Sequence, residues 1–462
     1  MSFPPGNSVA PGMGTLIPSL VELLGTVSSP GLAATAMSMS WRSWAEEVER
    51  ARMELAFLAR SKTGIVLGSL PRVYALWTAL SSLEADVYLF DETMNPESVN
   101  QLAERHELEF VAAMQTQDQP FPHAIRRRDV RPDRSGHGMV TIFTSGTTGE
   151  PKAVRHNWET LTRPVRGSSP SGPQTWLLTY RPSLYAGIQV FMHCLVNRDA
   201  LVLPDAGSSA SELIGLMQDH RVTCVSATPS YWRRLITLGS RAQLQRLHLA
   251  QITLGGEASD QALLDSLKQL FPMARLVHIY ATSELGRCFS VSDGRAGFPA
   301  SYLDAPSREG VELKMEDGEL HVRSANAGLG QADEAPTRSR DASWLATGDL
   351  IDRVGDRCHF VGRRTELINV GGNKVHPLRV EQVVCRIPGV AEARVYSKIS
   401  SLVGQMVACE FVACEGFEAQ AVKEAVLTYC REQLAPHERP RFIEPVAQIR
   451  LSEAGKKLRG PT

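Results

Sequence analysis

The stretch TSGTTGEPK, residues 144–152, gathers hydroxyl side chains, two glycines and a lysine behind a short apolar run. Glycines allow successive backbone N–H groups to converge on one point, and hydroxyl and ammonium groups add donors around it. Such a loop suits a chain of phosphates, although a surface turn rich in Ser, Thr and Gly has the same composition. Lys152 follows Gly149 by three residues and precedes Ala153. A Walker A loop needs its lysine directly after the last glycine and then Ser or Thr, so the spacing excludes that class of nucleotide site.

Further motifs follow the loop in the order seen in a known group of enzymes. They are YATSE (280–284), TGD (347–349), GRRTELINVGGNKVHP (362–377) and GK (455–456). In identity, order and spacing, these motifs and the loop resemble those of the adenylate-forming superfamily. That superfamily includes acyl-CoA synthetases, the adenylation domains of peptide synthetases and luciferases. The resemblance covers residues 141–456, with Ala153 and Ala281 at positions where the superfamily usually has glycine.

The resemblance implies a reaction in two steps. A carboxylate first attacks the α-phosphate of ATP, which releases pyrophosphate and forms an acyl-adenylate. A thiol then attacks the acyl carbon, and AMP leaves. The implied cofactors are ATP, Mg²⁺ and coenzyme A, or the phosphopantetheine of a carrier protein instead of coenzyme A. The implied enzyme is an AMP-forming acyl- or aryl-CoA ligase. A stand-alone adenylating enzyme that loads a separate acyl or peptidyl carrier protein is the alternative.

The resemblance also assigns roles around the nucleotide. Tyr280 stacks on adenine, Asp349 accepts the ribose hydroxyls with Arg363 as a second contact, Ser283 contacts the α-phosphate, and Glu284 binds magnesium. A carboxylate suits this hard cation, and the two oxygens of an aspartate suit a vicinal diol. A turn role for Asp349 and a helix-start charge at Glu284 are the alternatives. The other residues that the resemblance places along the phosphates and the adenine are Thr144, Ser145, Gly146, Thr147, Thr148, Gly149, Lys152, Gly255, Gly256 and Glu257.

Two adjacent lysines stand near the C-terminus. The GK pattern matches Lys456 to the adenylation lysine of the family, which bridges the substrate carboxylate and the phosphate as the bond forms. An ammonium group on a flexible stem suits that task. Lys152 and Glu284, which with Mg²⁺ would stabilise the departing pyrophosphate, complete the predicted catalytic set. We expect the second lysine, Lys457, to be solvated.

The long motif at 362–377 carries the predicted hinge and the predicted thiol contacts. In the family, a small C-terminal domain rotates between the two half-reactions. The hinge position is Thr365 in this chain, where the family generally has Asp or Lys. Gly371 and Gly372 match the loop that lines the thiol tunnel in the second conformation. Lys374 is assigned to the phosphates of coenzyme A.

Apolar runs alternate with helical periodicity before and after the phosphate loop. The predicted strands include GIVLG (64–68), VYLF (87–90) and QITL (251–254). This alternation predicts an α/β fold with mostly parallel sheets flanked by helices. After about residue 300, DG and GD turns predict the hairpins of a small β-rich subdomain, and an α+β pattern follows it. We predict a large N-terminal domain, residues 1–363, and a small α+β C-terminal domain, residues 364–462, that rotates about the hinge.

The acid that would be activated is less constrained. Family substrates enter near RPSLYAGIQV (181–190), and no acidic residue occurs between Thr175 and Asn197. Amino-acid-activating relatives place an aspartate there, so amino acid activation is disfavoured. Arg181 is a candidate partner for a second substrate carboxylate. Four apolar side chains favour an apolar acyl or aryl group, with plain helix core as the alternative: Tyr185, Ile188, Val190 and Phe191.

Composition and charge narrow the remaining classes. The net charge of −1 gives no broad electrostatic reason to expect nucleic acid as a partner. No apolar run approaches the roughly 20 residues of a spanning helix. We therefore expect no membrane span. No basic residue precedes Arg42, so a secretory signal is not expected either. Eight scattered cysteines without a CxxC pair favour reduced thiols and a cytoplasmic location. The sequence leaves open whether the protein is a homodimer.

A different class of function is also compatible with the motifs. Ala153, Ala281 and Thr365 depart from the family pattern, as they would in a nucleotide-binding interaction protein that had lost catalysis. The retention of Asp349 and Lys456 favours an active enzyme instead, because decayed enzymes tend to lose such residues first. An oxygenase reaction of the luciferase type has no feature in the sequence that calls for it.

Overall fold

A computed structural model gives the structure of the chain. It describes residues 17, 21–22, 24–26, 30–34, 37–113, 125–126, 136–144, 151–165, 167, 172–304, 310–331, 344–400, 404–414, 416–450 and 457. The predicted phosphate-loop residues Ser145, Gly146, Thr147, Thr148 and Gly149 lie outside the described residues, as does Lys456.

Helices and strands alternate along most of the chain. The strands are β1 (Pro30–Ala34), β2 (Met37–Ser40), β3 (Lys62–Leu67), β4 (Asp86–Asp91), β5 (Phe110–Ala112), β6 (Ile125–Arg126), β7 (Val140–Thr144), β8 (Lys152–His156), β9 (Thr175–Leu178), β10 (Ala200–Leu203), β11 (Cys224–Ala227), β12 (Gln251–Gly255), β13 (Arg275–Thr282), β14 (Gly286–Val291), β15 (Phe298–Pro299), β16 (Val311–Glu316), β17 (Glu319–Ser324), β18 (Leu345–Val354), β19 (Arg357–Arg363), β20 (Ile368–Val370), β21 (Asn373–Val375), β22 (Val390–Ser400), β23 (Gly404–Ala413) and β24 (Phe442–Pro445). The helices are α1 (Trp41–Glu54), α2 (Pro71–Ser82), α3 (Pro96–Arg105), α4 (Trp158–Thr162), α5 (Tyr185–Asn197), α6 (Ala210–Asp219), α7 (Pro229–Leu238), α8 (Arg241–Leu244), α9 (Gln261–Leu270), α10 (Pro377–Val384) and α11 (Ala419–Gln433).

The described strands form four sheets. An eight-stranded sheet has the order β14-β13-β12-β11-β9-β10-β1-β2, and a six-stranded sheet has the order β6-β5-β3-β4-β7-β8. Both are parallel in the middle and end in antiparallel edge strands. A five-stranded antiparallel sheet, β15-β19-β18-β17-β16, follows. The last sheet is β21-β20-β23-β22, with β24 parallel to β23. The predicted fold class, mostly parallel sheets with helices plus a β-rich part and a small α+β part, is confirmed.

The largest core lies between the two parallel sheets and is filled by α1, α2 and α5. Trp44, Trp77 and Phe191 are fully buried there, and Phe191 packs against Tyr74 and Trp77 with ring centroids 4.7 and 5.5 Å apart. α2 is buried on all sides and α5 on most of its surface, whereas α1 buries one apolar face and exposes the other. Contacts between these rings fix how the two sheets sit against each other.

Two tight turns form as their sequences predict. Asp317 and Gly318 connect β16 to β17 with φ values of 49° and 74°, and Gly355 begins the β18–β19 turn with φ of 61°. Positive φ at both central residues of the first turn, and at the first central residue of the second, matches the right-handed twist of the paired strands. The register of the β18–β19 hairpin places Asp349 opposite Arg363.

The chain passes from the five-stranded sheet to the last sheet through a short 3₁₀ turn at Arg364–Glu366, which contains the exposed Thr365. We keep the names large domain for residues 1–363 and small domain for residues 364–462, and this division stays a prediction. Among the described residues, no helix is long and apolar enough to cross a membrane.

Candidate active site

The strands on either side of the predicted phosphate loop pair with each other. β7 and β8 are antiparallel, and Thr144 lies opposite Lys152. The Thr144 side chain is half-buried, and its Oγ1 lies 3.5 Å from the Lys152 carbonyl oxygen. Lys152 is exposed at the first position of β8. Thr144 and Lys152 therefore lie at the end of the hairpin where the phosphate loop leaves β7 and enters β8.

His156, at the other end of β8, connects this hairpin to the YATSE motif. Its Nε2 lies 2.8 Å from the Ser283 carbonyl oxygen and its Nδ1 lies 3.2 Å from Thr160 Oγ1. Burial lowers the pKa of His156 to about 4, so the ring is neutral at pH 7. A carbonyl can only accept, so Nε2 carries the proton and Nδ1 is the acceptor for Thr160. We assigned no role to His156 from the sequence.

Glu284 follows β13 and has an exposed side chain. Its backbone carbonyl accepts a hydrogen bond from Gly328 N at 2.8 Å, which joins the motif to the segment after β17. Among the described residues, no group of three or more His, Cys, Asp and Glu could hold a metal ion. A single accessible carboxylate fits Mg²⁺ when phosphate oxygens and waters supply the remaining ligands, which is how this cation is usually held beside nucleotides.

Tyr280, Asp349 and Arg363 form one connected group. The Tyr280 hydroxyl donates to Asp349 Oδ2 at 2.6 Å, and Arg363 Nε donates to Asp349 Oδ1 at 2.8 Å. Burial, together with the neighbouring Asp349 charge, raises the pKa of Tyr280 far above its ordinary value, so the hydroxyl keeps its proton. Its ring stacks against Phe289 and Phe360, with centroids 5.2 and 5.1 Å away. The structure thus brings together the three residues predicted to meet adenine and ribose.

The GGE segment lies at the carboxyl end of β12, beside the ends of β11 and β13. Ligands of open parallel sheets usually bind at this edge. Gly256 has φ of 83°, and the Tyr180 hydroxyl lies 3.4 Å from the Gly255 carbonyl oxygen. Glu257 Oε2 accepts a hydrogen bond from Ser230 N at 3.0 Å, at the start of α7. Glu257 therefore also holds α7, a contact that the motif did not indicate.

The predicted thiol loop is on the surface. Gly371 and Gly372 form the turn of the β20–β21 hairpin with φ values of 55° and 91°, and Lys374 is exposed beside them. Asn369 Oδ1 stabilises the turn by accepting from Gly372 N at 3.0 Å. These residues are therefore not joined to the Tyr280 group in the orientation that the small domain has here.

A different part of the small domain faces the large domain. A cavity of about 360 Å³ between them is lined by Ser230, Arg234 and Leu238 of α7 and by Ala391, Glu392, Val412 and residues 447–450. The segment that leads to the C-terminal lysines thus runs along this interface. The expectation that Lys457 is solvated is wrong, because Lys457 Nζ is buried and donates to the Ala393 carbonyl oxygen at 2.7 Å.

The residues considered for the acyl pocket have other partners. Tyr185, Ile188, Val190 and Phe191 are buried in the core between the two parallel sheets, as the helix-core alternative predicted. Arg181 Nη1 lies 3.4 Å from Asp91 Oδ1, so it already has a carboxylate partner within the protein. A cavity of about 320 Å³ beside it is lined by the ends of β4, β9 and β10 and by Tyr231.

The chain is similar to known proteins along most of its length. Residues 55–330 match the AMP-binding enzyme family, and residues 379–456 match the AMP-binding enzyme C-terminal domain. A medium/long-chain-fatty-acid–[acyl-carrier-protein] ligase of Mycobacterium tuberculosis is 26% identical over 359 residues, which cover 70% of this chain and 65% of that protein. The 4-hydroxybutyrate–CoA ligase 2 of Metallosphaera sedula is 24% identical over 439 residues, covering 87% of this chain and 77% of that protein. The match thus spans 65% of the length of the mycobacterial relative.

Solved structures share the fold along almost the whole chain. The crystal structure of an anthranilate CoA ligase in complex with anthranoyl-AMP has a TM-score of 0.77 at 18% identity, covering 96% of this chain and 95% of that one. The family match to residues 55–330 takes in most of the large domain, including the hairpin around the phosphate loop and the YATSE motif. The chain belongs to the AMP-binding enzyme family.

Proposed function

We propose that the protein activates a carboxylic acid with ATP and transfers the acyl group to a pantetheine thiol, that of coenzyme A in the first instance. The observation that carries this proposal is the group formed by Tyr280, Asp349 and Arg363. Hydrogen bonds of 2.6 and 2.8 Å hold the Asp349 carboxylate in place between the other two. A fixed acid next to an aromatic ring is suited to a ribose diol and its base.

The neighbouring elements supply what pyrophosphate departure requires. Lys152 and Thr144 flank the phosphate loop, and His156 ties the same hairpin to Ser283. Negative charge that develops on the leaving phosphates is stabilised by fixed donors and by a cation. We assign the magnesium ion to Glu284, with the phosphates as its other ligands. Mg²⁺ would neutralise phosphate charge when bound.

Lys456 is assigned to the attack of the carboxylate on the α-phosphate. The segment before it, residues 447–450, lines the cavity against α7. Residues 447–450 of the small domain therefore face the large domain, while Gly371, Gly372 and Lys374 face solvent. This orientation suits adenylation, and thiol transfer would then require the small domain to turn about the segment around Thr365.

The substrate proposal is an apolar acyl or aryl acid. Relatives named as a fatty-acid ligase and an anthranilate ligase support this class, and the absence of an acidic residue from 175–197 argues against amino acids. A separate carrier protein is the second candidate acceptor, because the mycobacterial relative is named as an acyl-carrier-protein ligase.

The test is acid-dependent exchange of labelled pyrophosphate into ATP, run with Mg²⁺ over a panel of fatty, aryl and dicarboxylic acids. We expect at least one apolar acid to support exchange. Lys456→Ala should abolish it while thioester formation from a supplied acyl-adenylate persists. If none of the acids in the panel supports exchange, the proposal is contradicted. If Lys456→Ala lowers both half-reactions equally, the role of Lys456 is contradicted. Thioester yields on free coenzyme A and on a phosphopantetheinylated carrier protein identify the acceptor.

A further inference from the structure

Lys457 occupies a buried position between two carboxylates of the small domain. Its side chain is 9% exposed, and its Nζ lies 3.7 Å from Glu381 Oε2 and 3.6 Å from Glu392 Oε1. The same ammonium group donates to the Ala393 carbonyl oxygen at 2.7 Å. A buried charge persists in a protein only when it is paired and hydrogen-bonded. These contacts therefore fasten the end of the chain to α10 and β22 at the residue directly after Lys456.

Glu392 also faces the large domain. It lines the cavity against α7 together with Ser230 and Arg234. Burial raises the pKa of Glu392, and of the charges around it Lys457 opposes this most, Glu257 adds to it and Arg233 opposes it. Glu392 thus contacts Lys457 within the small domain and faces α7 of the large domain.

The large-domain side of this contact is itself held in place. Arg233 on α7 forms an ion pair with Asp260, and Asp260 Oδ1 accepts from Leu263 N at the start of α9. Glu257, the neighbouring acid, is bonded to Ser230 N. Helix α7, which lines the cavity opposite Glu392, is therefore held in place at both Ser230 and Arg233.

We propose that Lys457 is a positioning residue for adenylation, which pairs with Glu381 and Glu392 to fasten the chain end that carries Lys456, and that Glu392, which faces α7 across the cavity, links this group to the large domain. Consecutive Cα atoms are about 3.8 Å apart, so a fixed Lys457 limits where the residue before it can lie. This inference rests on the proposed two-step reaction and adds to it a residue that does not touch the substrate.

The test separates the two half-reactions in three variants. Lys457→Met removes the charge at similar side-chain volume, Lys457→Arg keeps the charge, and Glu392→Gln breaks the link across the interface. Lys423→Met, on α11 of the same domain, is the matched control. We expect Lys457→Met to slow pyrophosphate exchange by about tenfold or more, while thioester formation from a supplied acyl-adenylate changes less than about twofold. Lys457→Arg should recover part of the loss, and Lys423→Met should match the wild type.

A structural role alone would lower both half-reactions together, and that result, or no loss in either, would overturn the proposal. If Lys457→Met fails to fold, the same split in Glu392→Gln decides. Wild-type protein without any acid-dependent exchange would refute the proposed function rather than this inference. Hydrogen exchange then tests the link without activity. The amides of 229–238 and 390–400 should exchange faster in Glu392→Gln than in wild type or Lys423→Met, and unchanged rates would overturn the link.

Discussion

Mild acid should destabilise the large domain through His156, and His156→Gln should remove that part of the pH dependence. The ring is fully buried and joins Ser283 to Thr160, with no acidic side chain among its hydrogen-bond partners in the described residues. Glutamine can still donate to a carbonyl and accept from a hydroxyl, but it does not titrate. The variant therefore removes the titrating group while it keeps most of the packing and the hydrogen bonds.

The size of the effect follows from the pKa of His156. Burial lowers it from 6.5 to about 4. Because the folded pKa is the lower one, the unfolded chain binds the proton first as the pH falls, so the contribution is intact above the unfolded pKa and is lost towards the folded one. The loss is about 2 kcal/mol at about pH 5 and roughly 3 kcal/mol once the pH is below both pKa values.

Urea denaturation, monitored by tryptophan fluorescence, measures this loss of stability. The free energy of unfolding is compared between wild type and His156→Gln at about pH 7.5 and about pH 5. The difference between the two proteins should shift by about 2 kcal/mol in favour of the variant at the lower pH. Contributions from the other histidines are shared by both proteins and cancel. His248→Gln, at an exposed site, controls for loss of one imidazole. An unchanged difference at the two pH values would refute the assignment of a buried neutral ring.

Three further predictions concern the site and its supports. Asp349→Asn leaves two donors without a charged acceptor and should lower the free energy of unfolding by about 1–3 kcal/mol, whereas the exposed control Asp352→Asn should change it little; equal values in urea denaturation would count against the hydrogen-bonded group. Gly286→Ala puts a Cβ 2.3 Å from a carbonyl oxygen at φ of 68°, while Gly294→Ala at φ of 76° meets nothing within 4 Å. Both variants carry the backbone strain, so the free energy of unfolding should be lower for Gly286→Ala than for Gly294→Ala by about 2 kcal/mol in the same assay. Glu284→Gln should raise the Mg²⁺ concentration for half-maximal pyrophosphate exchange by about tenfold, and an unchanged magnesium titration would move the metal to other ligands.

Local patterns were sufficient to predict most of the framework. Strands such as β3, β4 and β12 are short apolar runs between turn signals, and the Asp317-Gly318 turn follows from its own two residues. The β18–β19 hairpin then aligned Asp349 with Arg363, which the motifs had assigned to one ribose. Helix α1 ends at Glu54, and a separate 3₁₀ turn at Ala56–Leu58 follows it.

Partners that are distant in sequence could not be predicted in this way. The bond from His156 to Ser283 spans 127 residues, and the contact of Arg181 with Asp91 joins the two parallel sheets. The sequence predicted a solvated Lys457 because no residue near it indicates its two buried partners, Glu381 and Glu392. Periodicity indicates which face of an element is buried, but a charged residue in the interior depends on a partner that only the packing of whole elements supplies.

Asp349, the acid assigned to the ribose, already has two hydrogen-bond partners within the protein. The Tyr280 hydroxyl and the Arg363 guanidinium each donate to one oxygen of Asp349. An incoming sugar hydroxyl must therefore share or replace an existing donor rather than fill a vacant acceptor, and its net gain is small. If the sugar lacks that hydroxyl, Asp349 keeps its present partners instead of being left buried and unpaired. Selectivity for ATP over its 2′- or 3′-deoxy analogues should accordingly be weaker than in a site whose acid depends on the sugar alone.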